Sequence, residues 1–259
     1  MKFDETWKAD TFYSQFGEDK LLFKIFQEKR KGLCIEVGAN NGIDDSTSLY
    51  FEKLGWNCIL VEPNPVLCRQ LRDVRHALIY ECAVSDENTT LTLHVVEGAP
   101  RSHGMSTIST DAVVHERIKK HGFVSVPVEV QTMTLDQILA DARVDTGIDF
   151  VSIDVEGHEL EVLRGFSVEK WRPTIMVIED NSNFVNTAVD DYLKRFGYVR
   201  FKRTGVNDWY AHTSNKQLVT LRNRIAVGLM AFMTRSEDAL RVARFILKTV
   251  RSLRIRLGQ

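Results

Sequence analysis

The hydrophobic positions of this chain fall into two kinds of run. Some are short and unbroken: Leu33 to Val37, Trp56 to Val61, Ala77 to Val84, Asp149 to Ile153 and Thr174 to Ile178. Runs of this length, closed by turn and charged residues, read as strands covered on both faces, the condition of a parallel sheet. Others recur every three or four residues. Leu21, Leu22, Ile25 and Phe26 share one face of a helix expected over 17–29. Asp45, Ser46 and Thr47 offer cap chemistry for a helix ending at Leu54, and another helix runs to about Val74. Further helices are expected over 111–120, from Thr134 with Gln137 as a capping box, over 159–163 and over 188–196.

The alternation breaks in two places. Thr89 to Val96 and Phe123 to Thr132 read as extra strands, separated by a loop over 98–110 rich in Gly, Ser, Thr and His. Tyr198 to Arg203 and Asp208 to His212 read as a hairpin turning near Gly205. Strand–helix units followed by a hairpin predict an α/β fold: a Rossmann-like doubly wound sheet with a terminal antiparallel hairpin.

At 259 residues, 44% hydrophobic and 27% charged, the chain has room for one large α/β domain. No Pro/Gly/Ser-rich linker divides it. The start, Met1-Lys2-Phe3-Asp4, lacks the pattern of a secretion signal. The longest strongly apolar stretch, Ile225 to Met233, falls short of the roughly 20 residues of a membrane span. Cys34, Cys58, Cys68 and Cys82 form no CxxC pair and read as small buried apolar residues, so a reducing cytoplasm is expected.

The charge is uneven. From Lys216 onward there are ten Lys/Arg and two acidic residues, a net of +8, so a whole-chain charge of −1 leaves −9 for residues 1–215. The chain is therefore divided into a domain over 1–215 and a basic helical extension over 216–259. In the extension, Leu240, Ala243, Ile246, Leu247, Val250, Leu253 and Leu257 make an apolar stripe, with Arg241, Arg244, Lys248 and Arg251 gathered on another arc. Three roles fit it: a cap on its own domain, a homodimer contact, or peripheral attachment to the anionic inner face of a membrane. Without interleaved aromatics, no nucleic acid partner is expected.

Two of the predicted strands end in candidate chemistry. The first gives Ile35-Glu36-Val37-Gly38-Ala39-Asn40-Asn41-Gly42, and the next strand ends at Glu62-Pro63-Asn64-Pro65. Gly38 permits a sharp turn against a ligand, Gly42 lets the next helix approach the sheet with its N-terminal amides pointing into the crevice, where a ligand carboxylate could be held, and Glu62 stands where ribose hydroxyls are held in this architecture. The spacing is not G-x-G-x-x-G, which disfavours a pyrophosphate cofactor. The second strand end is Ile153-Asp154-Val155-Glu156-Gly157-His158-Glu159. It places Asp154, Glu156 and His158 in one crevice.

With Tyr13-Ser14-Gln15-Phe16-Gly17-Glu18-Asp19 and Ala83-Val84-Ser85-Asp86, these motifs resemble the FkbM family of methyltransferases over roughly Tyr13 to His212. The resemblance implies S-adenosylmethionine (SAM) as methyl donor and a hydroxyl acceptor, on a glycan or a small glycosylated metabolite. Glu36 would meet the methionine amine, the turn Gly38, Ala39, Asn40 and Gly42 its carboxylate, and Ala83 and Val84 would border the adenine. Gln15 and Asp19 would fold over the cofactor or acceptor, or else cap the first helix.

A hydroxyl acceptor needs a group to take its proton. His158 is the first choice by its ordinary pKa, Asp154 the second, with Glu156 beside them. Arg101 to Thr107 is a candidate lid. A metal-assisted variant, acting on a small natural product, would hold Mg²⁺ between Asp154, Glu179 and Asp180. A SAM-binding scaffold without activity is the reading from outside catalysis.

Overall fold

The computed structural model describes residues 11–27, 29–97, 105–109, 116, 118–145 and 147–235. The expected extension helix over 237–257, the lid residues 101–104 and most of the helix over 111–120 lie outside the described residues. The chain divides into two compact units between Glu179 and Asp180.

The first unit is built on five parallel strands. In chain order these are β1 (Leu33–Val37), β2 (Asn57–Val61), β3 (Leu78–Tyr80), β7 (Phe150–Ile153) and β8 (Ile175–Glu179), and their spatial order is β3-β2-β1-β7-β8. Every residue of β1, β7 and β8 is buried, which explains their unbroken apolar sequences. The spatial order reverses direction at β1, so the crevice beyond the carboxyl ends of β1 and β7 is the switch point where ligands bind in such sheets. Helices α1 (Glu18–Phe26), α2 (Leu49–Lys53) and α3 (Pro65–Val74) connect the first strands. Asn64 caps α3, its side chain accepting from the Val66 amide, with Pro65 in the first turn where its missing N–H costs nothing.

The run Ala77 to Val84, expected as one strand, is broken. Only Leu78–Tyr80 joins the main sheet. Glu81 is exposed and paired with Arg72 at 2.7 Å, so a charge interrupts the run. Beyond it, β4 (Ala83–Val84) pairs in parallel with β6 (Val124–Met133), which pairs antiparallel with β5 (Thr90–Glu97). The two extra strands expected from alternation thus build a separate three-stranded sheet around Ala83, Leu93, Val95 and Val130.

Helices α4 (Leu135–Asp141), α5 (Glu159–Arg164) and α6 (Val168–Trp171) complete this unit. Thr134 does cap α4 by accepting from the Gln137 amide at 3.1 Å. However, the return half of the box is made by Asn88, which takes the Thr134 amide, while Gln137 turns to Asp141. All four cysteines are buried and free.

In the second unit, α7 (Ala188–Lys194) precedes the expected hairpin, β9 (Tyr198–Thr204) with β10 (Asn207–His212), which turns through Gly205 and Val206. Arg203 bridges Asp180 and Asp208, both at 2.9 Å. Helix α8 (Leu221–Arg235) follows and packs along β9. No described helix is long and apolar enough to cross a membrane.

Candidate active site

The turn after β1 is set by hydrogen bonds to its neighbours. The Gly38 and Ala39 amides both donate to the Val61 carbonyl, and the Asn40 amide donates to the Glu62 carboxylate at 2.9 Å. The Asn41 amide goes to the Asn40 side chain, and the Gly42 amide to the Ala39 carbonyl. The expectation of helix N-terminal amides here is corrected. No helix starts at Gly42; α2 begins only at Leu49, and each of these five amides has a partner within the protein. What the turn presents to a ligand is its closely approaching backbone.

Gly38 has φ +86°, and a Cβ on it would lie 1.8 Å from the Asp154 carbonyl oxygen. Gly42, at φ +81°, has Leu71 and Arg75 of the α3 region at 2.4 and 2.9 Å from its hypothetical Cβ, so the helix it admits is α3 and not the next one, α2.

Glu36 is buried and turned inward. It accepts from Ser46 Oγ, Ser48 Oγ and the Thr47 amide, and Arg75 stands 3.9 Å away. Arg75, itself fully buried, also pairs with Glu52 and donates to the Gly42 carbonyl. Glu36 and Arg75 therefore brace the turn from beneath. Sequence reasoning missed Arg75, because nothing in an isolated arginine at a helix end signals burial. Asp19 accepts from the Tyr13 amide and from Ser14 Oγ and so ties down the segment before α1, whose N-cap Gly17 makes no side-chain cap bond; Gln15 is exposed. A bridge between Ser14 and Asp45 lays this segment beside the stretch that follows the Gly38 turn.

Glu62 ends β2 nearly buried. Its two oxygens accept from the Asn40 and Asn64 amides, and each keeps a lone pair for a ligand hydroxyl. Burial pushes its carboxyl up to about 7, against the pull of these amides and with the charge of Asp154 adding to the rise. Burial likewise raises Glu159 to about 7, again with Asp154 contributing. Asp154 is exposed between them, while Glu156 is buried in a left-handed turn at φ +55°. Thr107 Oγ1 donates to the Glu156 carbonyl at 2.7 Å, tying the segment bridged to β5 at His94 to this turn.

Asp154, Glu156 and Glu179 each offer an oxygen within 4.8 Å of the others, a spacing a hard divalent cation could bridge. Asp180, the third candidate ligand, is not in this group; it is engaged with Ser182 and Arg203.

His158 lies at the start of α5 without a side-chain cap bond. Its Nε2 is 2.9 Å from Ser85 Oγ, and Ser85 Oγ is 3.1 Å from Asp86. A hydroxyl has one proton, and the Asp86 carboxylate can only accept. Nε2–H therefore donates to Ser85, and the free lone pair of the neutral ring is on Nδ1. Nδ1 is 3.8 Å from Glu161. Burial lowers the His158 pKa from its ordinary value, with Glu161 and Asp86 opposing, which favours the neutral ring. Ala83 and Val84 are buried on β4 immediately before Ser85. The sequence does not reveal the role of Ser85, since it depends on β4 leaving the main sheet.

Fold and crevice define a Rossmann-like α/β protein with an acidic crevice at the switch point of its sheet. The methyltransferase FkbM domain matches residues 36–200, and the chain belongs to that family, whose fold generally takes SAM as donor. It is 29% identical over 189 residues to methyltransferase sdnD of Sordaria araneosa, covering 63% of this chain and 71% of that protein. Among solved structures, a precorrin-6y C5,15-methyltransferase of Geobacter metallireducens overlays with TM-score 0.37 and 14% identity, over 74% of this chain and 84% of that one. A putative RNA methyltransferase of Pyrococcus horikoshii gives 0.38 and 8%, over 82% and 93%. Likenesses this slight carry no functional argument.

Proposed function

We propose that the protein is a SAM-dependent O-methyltransferase whose acceptor is a sugar hydroxyl, in a glycan or a glycosylated metabolite. The observation that carries this reading is the acidic crevice where the Gly38 turn, Glu62 and Asp154 converge. SAM is cationic at its sulfonium, and carboxylates at the strand ends suit that charge. Glu62 has the spare lone pairs for ribose hydroxyls, and the tight Gly38 turn admits a ligand close to the backbone. When bound, SAM supplies a methyl group already activated for transfer. The chain's own task is to hold the acceptor oxygen in line and take its proton. His158, neutral with a free Nδ1 and with Glu161 placed to stabilise the imidazolium, serves as that proton acceptor. Asp154 orients the acceptor at the crevice mouth.

Calorimetric titration with SAM and separately with NAD tests the donor, followed by transfer of labelled methyl to a panel of sugars. Micromolar binding of SAM alone, then a methyl ether on a sugar, is expected. NAD binding without SAM binding would overturn the reading. The carboxylates Asp154, Glu156 and Glu179 favour one variant, a metal-assisted transfer. Turnover that persists in EDTA selects the histidine mechanism, and turnover lost to EDTA and restored by Mg²⁺ selects the cation.

The raised carboxyls make a further expectation specific. Glu62 and Glu159 titrate near 7, and only their ionised forms attract a cation. Affinity for SAM should therefore be full above that pH and lost as pH falls through it, by roughly tenfold between pH 8 and pH 6. S-adenosylhomocysteine, without the sulfonium charge, should weaken less. A SAM affinity that does not change over this range would remove these carboxylates from the site.

A further inference from the structure

Helix α8 is apolar on its outward side. Leu221, Ile225, Leu229 and Phe232 are 73%, 52%, 56% and 64% exposed. At 3.6 residues per turn they fall within a quarter of the helix circumference, and the buried Val227 lies on the far side, toward β9. Exposed Arg222 and Arg224 flank the stripe on its two sides. A solvated helix keeps its large apolar residues inward; this one buries only Val227 among its described side chains and leaves four large apolar side chains exposed along one stripe. A contiguous exposed apolar stripe marks a surface that something covers.

The charge indicates what covers it. Residues 216–259 carry ten Lys/Arg against two acidic residues. A second copy seated face to face would bring two such segments together, and like charges across an interface oppose association. A nucleic acid backbone would satisfy the arginines but leave four large apolar side chains against phosphate. An anionic bilayer surface satisfies both: headgroups take the arginines, and the interfacial zone takes the leucines, isoleucine and phenylalanine. We propose that α8 lies in the plane of an anionic membrane surface, with Leu221, Ile225, Leu229 and Phe232 inserted and the basic residues on the headgroups. The inference is independent of the methyl-transfer reading.

Sedimentation of the full chain with phosphatidylcholine vesicles, with and without about one third phosphatidylglycerol, tests it. The wild type should bind the anionic vesicles and bind neutral ones roughly tenfold less or weaker. The double variant Ile225→Glu, Phe232→Glu should lose roughly a hundredfold of that binding while keeping its melting temperature and its SAM affinity. Five results overturn the proposal. They are no vesicle binding by the wild type, equal binding to both vesicle types, and undiminished binding by the double variant. The fourth is a wild-type dimer that the variant converts to monomer in light scattering, which would assign the face to a second copy. A melting temperature well below the wild type's in the variant would instead show the stripe packed on its own chain, and would overturn it too.

Discussion

Gly38→Ala is expected to abolish SAM binding and to lower the melting temperature by about 10 °C. Two costs add. The first is conformational: φ +86° is the left-handed region, which costs an L residue about 1–2 kcal/mol. The second is steric and larger. The new Cβ would stand 1.8 Å from the Asp154 carbonyl oxygen, a backbone atom that no rotamer can move aside. Neither partner can retreat freely, because the Asp154 amide donates to the Val37 carbonyl and the Gly38 amide to Val61. Relief requires prying apart the ends of β1 and β7, where the donor crevice is. With about 2–4 °C per kcal/mol for a domain of this size, a loss of some 3–4 kcal/mol gives the stated shift. Gly55 supplies the control. It has φ +89° but nothing within 4 Å of its hypothetical Cβ. Gly55→Ala should therefore carry the conformational cost alone and leave SAM affinity unchanged. Equal melting temperatures for the two variants would refute the steric argument.

The second large effect concerns His158→Ala. Turnover should fall by about 10²–10⁴-fold, the usual weight of a positioned proton acceptor, with SAM affinity intact. The side chain makes no cap bond to α5, so the helix start should survive its removal. The pH profile separates catalysis from mere structure. Burial holds the His158 pKa below 6.5, so the wild-type rate should decline only on the acid side of that value, as the imidazole protonates. That acid limb should vanish in the variant's residual activity. Full turnover by His158→Ala would exclude the ring as base and leave Asp154 as the group to replace next.

Much of the fold was legible because burial on both faces leaves a strong mark. β1 was bounded to the residue, and β2, β7 and β8 to within one, since each is an apolar run closed by a charge, a proline or a glycine. The hairpin was legible from its alternation and its glycine turn. The splitting of Ala77 to Val84 was not, because apolar character continues through Cys82 to Val84 while the partner strand changes. Composition does not say which strand an apolar segment pairs with. The same limit governs the site. Gly38 and Glu62 could be assigned from their places at strand ends. The inward turn of Glu36, the saturation of the donor-turn amides and the Ser85–His158 bond depend on residues tens of positions apart, and no local pattern encodes them.

The small sheet has an evolutionary consequence. It departs from the main sheet at Ala83 and returns at Met133, and these two ends run side by side as Ala83↔Thr132 and Val84↔Met133. A detour whose ends are already adjacent burdens the core with little more than its closure, and that burden grows slowly with length. The stretch between can lengthen, shorten or be exchanged like a cassette while the donor half stays fixed. Thr107, reaching from inside the detour to the Glu156 carbonyl, is a point where such drift would be transmitted to the crevice. The crevice can therefore be altered from the small sheet through this one bond while β1, β2 and β7 keep their register.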